Sequence, residues 1–249
     1  MNHRKTWLAL ALIASATATS AAQASLSTNG NGLIYDNVSN ITFTSDANLF
    51  QTMAASVTGL INTIILDTST VDAHIMGTSD FSASNGKMNW WGAQAWIGYL
   101  NKTSYDGYSN WSLPTTSPTG TGYSQTGSQL GELFYTELGG VAKSSISTSH
   151  TNTGNFNLFT NIPDAAVYWS GTNNVASPGT SAWYFDYTDG SQGYANKTIL
   201  FNVLAILPGN ASLIPDFLPA AAIPVPGAVW LFGSGLLGLL GFKKRENIG

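Results

Sequence analysis

Both ends of this 249-residue chain carry apolar runs that a packed domain would not absorb, which leaves about 190 residues between them to build a core. At the start, "MNHRKTWLALALIASATATSAAQAS" has Arg4 and Lys5, an apolar stretch from Trp7 to Ala14, and a small-residue site at Ala22-Gln23-Ala24. That order is the pattern of a secretory signal peptide over residues 1–24, cleaved after Ala24. A buried N-terminal helix would need a polar periodicity that the segment lacks. At the far end no charged residue occurs from Phe217 to Phe242, and Pro219, Pro224 and Pro226 confine any continuous helix to residues 227–242. Such a helix rises about 24 Å, short of a hydrocarbon layer of about 30 Å. Its glycines at 233, 235, 238 and 241 and its lack of a polar face argue against a core helix of a globular domain. Lys243, Lys244 and Arg245 follow directly and would stay on the cytoplasmic side, leaving the body outside.

With the ends set aside, residues 25–226 keep four lysines (87, 102, 143 and 197) and no arginine against twelve acidic residues, a net charge near −8. Phosphate backbones are held by clustered Lys and Arg, so nucleic acid is not an expected partner. The chain has no cysteine. An exported body of this kind must rely on its core and hydrogen bonds, without disulfides or thiolate metal sites. Asn-x-Ser/Thr triplets begin at Asn37, Asn40, Asn101, Asn110, Asn196 and Asn210, but a composition this rich in Asn, Ser and Thr produces them by chance.

The tail is more specific than its hydropathy. Pro224-Val225-Pro226, then Trp230-Leu231-Phe232-Gly233-Ser234-Gly235-Leu236-Leu237-Gly238, then Lys243-Lys244-Arg245 resembles the PEP-CTERM sorting signal of Gram-negative bacteria that make extracellular polysaccharide. The resemblance covers residues 223–249 and implies processing near the Pro-x-Pro motif by an inner-membrane exosortase. Val225 stands where the name-giving motif has Glu, a variant that accompanies this tail.

Within the body, "GLIYDNVSNITFTSDANLF" places apolar residues at Leu33 and Tyr35 and again at Ile41 and Phe43, which predicts two short strands and a turn. "NWWGAQAWIGYLN" sets Trp90, Ala93, Trp96, Ile97 and Leu100 at steps of three and four, the spacing of an amphipathic helix. A Gly, Ser, Thr and Pro-rich loop (115–127) precedes "SQLGELFYTELGG", a second helix stopped by Gly139-Gly140. "AAVYWSG", "SAWYFDYTDGSQGY" and "KTILFNVLAIL" read as strands, with Asp189-Gly190 as a hairpin turn. Two helices among short strands, without βαβ alternation, predict an α+β domain of antiparallel strands over residues 25–210. Residues 54–87 read as an insertion of moderate helix content around "LINTIIL", and residues 211–222 as a linker.

The body also carries a resemblance. "GLIYDNVSNITFTSDANLF", "MNWWGAQAWIGYLN", "DGYSNWSLPTT", "GELFYTELGG", "NLFTNI", "VYWSGT" and "AWYFDYTDGSQ" are similar, in order, to the Lcl C-terminal domain family with its Gly-Tyr-Ser-Asp-Trp-Arg-Leu-Pro-Thr signature. The resemblance implies a C-type-lectin-like fold, and the family's named member is a surface adhesin that binds sulfated polysaccharide. Here Asn110 and Ser112 replace the signature Asp and Arg, and Ile206-Leu207-Pro208-Gly209-Asn210 replaces Val-Arg-Pro-Gly-Asp. The missing arginines and the acidic body argue against carrying polyanion binding over.

Catalytic constellations are thin. His74 and His150 lie in polar, loop-like stretches that suit solvated histidines. A Ser-His-Asp site is assembled in space and leaves no mandatory spacing, but no Gly-x-Ser-x-Gly elbow follows a strand. Glu132 and Glu137, as a glycosidase pair, would stand roughly 140° apart on an α-helix, so they read as surface charges. No HExxH, Walker or dinucleotide motif is present, and neither an enzyme nor a cofactor is expected.

Aromatic residues beside small polar ones can stack on sugar faces, which nominates Tyr108, Asn110, Trp111, Trp169, Trp183 and Tyr184 for glycan contact. Core packing is the competing reading for Trp111 and Trp169. Asp164, Asp186 and Asp189 are oxygen donors for calcium, against a reading as turn residues that explains them without a metal. The expectation is an exported, non-enzymatic protein with an inner-membrane intermediate, ending at the cell surface or in the extracellular matrix. Its partners would be the Sec machinery and signal peptidase, an exosortase, transiently the membrane, and exopolysaccharide in biofilm or floc formation. A structural matrix protein without a defined ligand and a glycan hydrolase are the alternatives.

Overall fold

The computed structural model describes residues 26–211 except Asn29 and Thr119. The signal-cleavage residues Ala22 and Ala24, the helix expected at 227–242, and Pro224, Val225, Pro226, Lys243, Lys244 and Arg245 lie outside the described residues.

The expected first hairpin is present. β2 (Leu33–Asp36) pairs antiparallel with β3 (Ile41–Thr44), Leu33 opposite Thr44 and Asp36 opposite Ile41. Asp36 closes the turn by accepting from Val38 N at 2.7 Å and Ser39 N at 3.1 Å. β1 (Leu26–Thr28) and β11 (Ile206–Pro208) flank the hairpin and complete a four-stranded antiparallel sheet in the order β1-β2-β3-β11. The first and last stretches of the body therefore enter one sheet.

A second sheet, β10-β9-β8, is a meander of β8 (Val167–Asn173), β9 (Ser181–Asp186) and β10 (Ser191–Asn196). The predicted Asp189-Gly190 turn joins β9 to β10, with Gly190 at φ +78° and its N–H donating to Asp186 O at 2.8 Å.

α3 (Trp90–Lys102) is the helix read from the sequence, and all five of its predicted apolar positions are buried. Asn89 caps it by accepting from Gly92 N at 2.8 Å. A Cβ at Gly92 would stand 2.9 Å from the Asp80 carbonyl oxygen, so only glycine admits the chain that crosses there.

The 54–87 stretch, expected as an insertion, is woven into the core. α1 (Leu49–Ser56) and α2 (Leu60–Asp67) meet at 108° and bury Leu49, Phe50, Met53, Leu60 and Ile64. Two small hairpins follow, β4 (Thr70–Val71) with β5 (His74–Ile75) and β6 (Phe81–Ser82) with β7 (Lys87–Met88). Among the described residues no single helix is long and apolar enough to cross a membrane.

Two apolar cores result, with strands buried on both faces between them. One gathers α1, α2, α3, Trp111 and Trp169; the other gathers Phe43, Leu130, Phe134, Phe159, Tyr168 and Phe185. Neighbours in a strand point to opposite faces, so Leu33 and Ile34 serve different cores, as do Trp169 and Tyr168. The apolar run Val203-Leu204-Ala205-Ile206-Leu207 does the same, with Val203, Ala205 and Leu207 in the first core and Leu204 and Ile206 in the second. Residues 203–207 accordingly show no polar alternation, since a run covered on both sides has no polar face to keep. The start of "KTILFNVLAIL", expected as strand, instead turns at 197–199 with Thr198 and Ile199 exposed, and the strand proper is Ile206–Pro208.

Leu207→Ala and Ile206→Ala should each destabilise by about 2–5 kcal/mol. Urea titration of the full chain followed by tryptophan fluorescence measures both, and the loss should be cooperative in each case.

Candidate functional site

Three of the nominated aromatics are core residues. Trp169 is fully buried with its indole N–H donating to Met88 O at 3.0 Å, and Trp111 donates to Tyr105 O at 3.1 Å. Trp183 is buried as well. None of these three offers a ring face to a ligand where it stands, so packing is the correct reading for them. Tyr108 and Tyr184 are half-buried and Asn110 is exposed. The Tyr108 hydroxyl donates to Ala211 O at 2.6 Å.

The stretch around Trp111 is held by backbone and amide contacts. Asn101 brackets Trp111, accepting from its N–H at 2.6 Å and donating to its carbonyl at 3.0 Å, while Ser112 and Ile206 exchange backbone hydrogen bonds of 2.9 and 3.0 Å. Beside it opens a shallow groove of about 290 Å³ lined by Gln94, Ser112, Thr115 and Thr172 together with apolar Ile97, Trp111 and Leu113 and by Gly171, with no charged group in its wall.

The aspartates considered for calcium are turn residues. Asp186 accepts from Thr188 N at 2.8 Å, Asp189 accepts from Ser191 N at 2.8 Å, and Asp164 is exposed. The histidines correct the expectation of solvated side chains. His74 stacks on Trp91 at 4.2 Å and donates from Nε2 to buried Asp80 at 3.0 Å; His150 stacks on Phe156 at 3.9 Å and donates from Nδ1 to Ile146 O at 2.7 Å. Lys197 is fully buried, its Nζ 3.6 Å from the Trp90 ring centroid and 3.4 Å from Asp72 Oδ2. Burial holds its pKa below the ordinary lysine value, with Asp72 opposing.

The largest correction concerns Glu132 and Glu137, which are not surface charges. They are 8% and 0% exposed, and together with Asp36, also 0% exposed, each brings one oxygen within 4.8 Å of the others. The cause is local. α4 (Gln129–Glu132), capped by Ser128, continues as a π-helical turn over Leu133–Glu137, closed by Leu138 N donating to Leu133 O at 2.9 Å. In such a turn residue i+5, rather than i+4, returns above residue i. The two glutamates therefore converge where an α-helix would have separated them. A signal was present in the sequence, because Glu137 falls on the same helical stripe as Leu130, Leu133 and Phe134.

Each carboxylate is half satisfied. Asp36 Oδ1 holds the turn N–H groups, Glu132 Oε2 accepts from Ser39 Oγ at 3.2 Å, and Glu137 Oε2 accepts from Asn155 Nδ2 at 3.0 Å. The remaining oxygens, Asp36 Oδ2, Glu132 Oε1 and Glu137 Oε1, are buried without a donor. None of the ion pairs among the described residues includes these carboxylates. Burial first, and then the charge of Asp36, push Glu132 well above the usual carboxyl range, and the same two causes push Glu137 up to about 7. Tyr187, whose hydroxyl donates to Leu130 O at 3.2 Å, is raised as well, by burial and then by the charges of Tyr168 and Glu132. Burial of both glutamates also keeps a glycosidic oxygen from passing between them, so they do not form a hydrolase pair.

The folded state holds protons here that the unfolded chain releases, so stability falls as pH rises through the folded value of about 7. In metal-free buffer the thermal midpoint of the full chain should rise on acidification from pH 8.5 to 5.5, with a slope of up to ~1.4 kcal/mol per pH unit per proton. Glu137→Gln should flatten that slope; an unchanged slope would remove Glu137 as its source. No protein-family profile, no curated protein and no solved structure matches this chain.

Proposed function

We propose that the chain is an exported, non-enzymatic envelope or matrix protein whose lectin-like body associates with exopolysaccharide. In this reading the signal peptide delivers it through the Sec route, and an exosortase processes the tail near Pro224-Val225-Pro226. What supports the export part is the pairing of a secretory leader with a tripartite tail around one α+β body. The resemblance to the Lcl C-terminal domain family supports the lectin-like part.

The observation that carries the carbohydrate reading is the groove beside Trp111. Its amide and hydroxyl side chains, Gln94, Ser112, Thr115 and Thr172, suit uncharged sugar hydroxyls, and an aromatic edge lies in its wall. The buried tryptophans move the proposed contact from ring faces to this polar rim. A charge-driven grip on sulfated chains finds no support in a body with four lysines and no arginine.

Full chain should be retained on exopolysaccharide from the source organism. Gln94→Ala combined with Ser112→Ala should weaken retention about tenfold, on the order of 1.4 kcal/mol. Retention no greater than that of residues 223–249 fused to a reporter would remove the carbohydrate reading. Separately, Pro224→Ala with Pro226→Ala should accumulate an unprocessed, membrane-bound form in cells, and normal maturation of that variant would remove the sorting reading.

A further inference from the structure

We propose that Asp36, Glu132 and Glu137 form a binding site for a hard divalent cation, with calcium as its ligand. The inference is independent of the export and carbohydrate readings.

It rests on more than the number of acids. Each carboxylate has one oxygen committed to a protein donor and a second oxygen, at least nine-tenths buried, that has none. Buried polar groups in folded proteins are almost always partnered, and a buried charge left alone is costlier than a neutral group. Three such oxygens, on carboxylates that come together, mark a place where something else supplies positive charge. A single shared proton bridges one pair and leaves the third oxygen bare, whereas one cation meets all three.

The donor set selects the kind of cation. Oxygen ligands without imidazole or thiolate favour hard ions over zinc or copper. Two oxygens that each lie 2.3–2.6 Å from one Ca²⁺ can be at most about 5 Å apart, and the carboxylate oxygens fall within 4.8 Å of one another. Magnesium, with its shorter bonds and strict octahedral demand, is served less well by three carboxylates fixed by the hairpin and the helical turn.

The supporting framework is already built. Asp36 is held by its own turn, Glu132 by Ser39, and Glu137 by Asn155, so the ligands are oriented from outside. The 37–40 turn reaches the site through Ser39, half-buried, while Val38 in the same turn is exposed.

Bound calcium would tie the first hairpin to the π-helical turn, two elements about a hundred residues apart in the chain.

The test is calorimetric titration of the metal-stripped full chain, purified in detergent, with CaCl2, MgCl2 and MnCl2 in turn, alongside thermal unfolding. One Ca²⁺ per chain, with a dissociation constant on the order of 10⁻⁴ M, and a midpoint raised by calcium are expected. Glu132→Gln and Glu137→Gln keep side-chain shape and should each weaken calcium at least tenfold. Asp189→Asn, in the β9–β10 turn, should bind as the parent does. Absence of heat and of any midpoint shift up to 10 mM of all three ions overturns the site. So does equal calcium binding by the glutamine variants, and tighter binding of magnesium than of calcium overturns the choice of ion.

Discussion

Residues 201–208 stitch the molecule together. Phe201 pairs with Met88, Asn202 lies against β8 with its N–H donating to Val167 O and its carbonyl accepting from Trp169 N, Ile206 pairs with Ser112, and β11 closes the first sheet against β3. The run between these pairings feeds both cores alternately, so neither core is complete without it. Full burial of a Val, Leu or Ile side chain contributes roughly 1.5–3 kcal/mol, which makes these few residues a large share of a marginal total. They also come near the end of the body. Their pairings, such as Ile206 with Phe43 and with Ser112, span long sequence separations.

A cysteine-free body needs other long-range ties, and several are visible. Tyr108 reaches Ala211, Tyr168 reaches Ala47, and Tyr135 reaches Gly190, each through a hydroxyl donating to a distant carbonyl at 2.6–3.1 Å. The Trp90 indole N–H donates to Ser170 O at 2.9 Å while its ring covers the Lys197 ammonium. Aromatic residues here combine apolar area with a polar tip that satisfies a backbone group, which accounts for their abundance better than an exposed stacking surface does.

Sequence patterns made the local elements legible and left the convergent ones hidden. The β2–β3 hairpin, α3 and the β9–β10 turn each depend on neighbours within a dozen residues, and spacing alone revealed them. Trp111 and Trp169 were ambiguous because a tryptophan beside serine reads alike in a core and on a surface. Glu132 and Glu137 were misread because the angle between them assumes an α-helix, and one wider turn reverses the answer. Asp36 lay in the predicted turn, and nothing in "YDNVSN" announces that its carboxylate meets two glutamates about a hundred residues later.

β11 has a mechanical meaning as well. A pull applied through the residues beyond Ala211 enters the body at the edge of its first sheet, where Gly209 N–H donates to Asn40 O and Ala211 N–H donates to Thr42 Oγ1. Those contacts share the load with Ala211 itself, which is packed in the first core and held by the Tyr108 hydroxyl. If they gave way, the strand that closes both cores would be drawn out, so traction at that end is resisted by a few sheet-edge hydrogen bonds together with one small core residue.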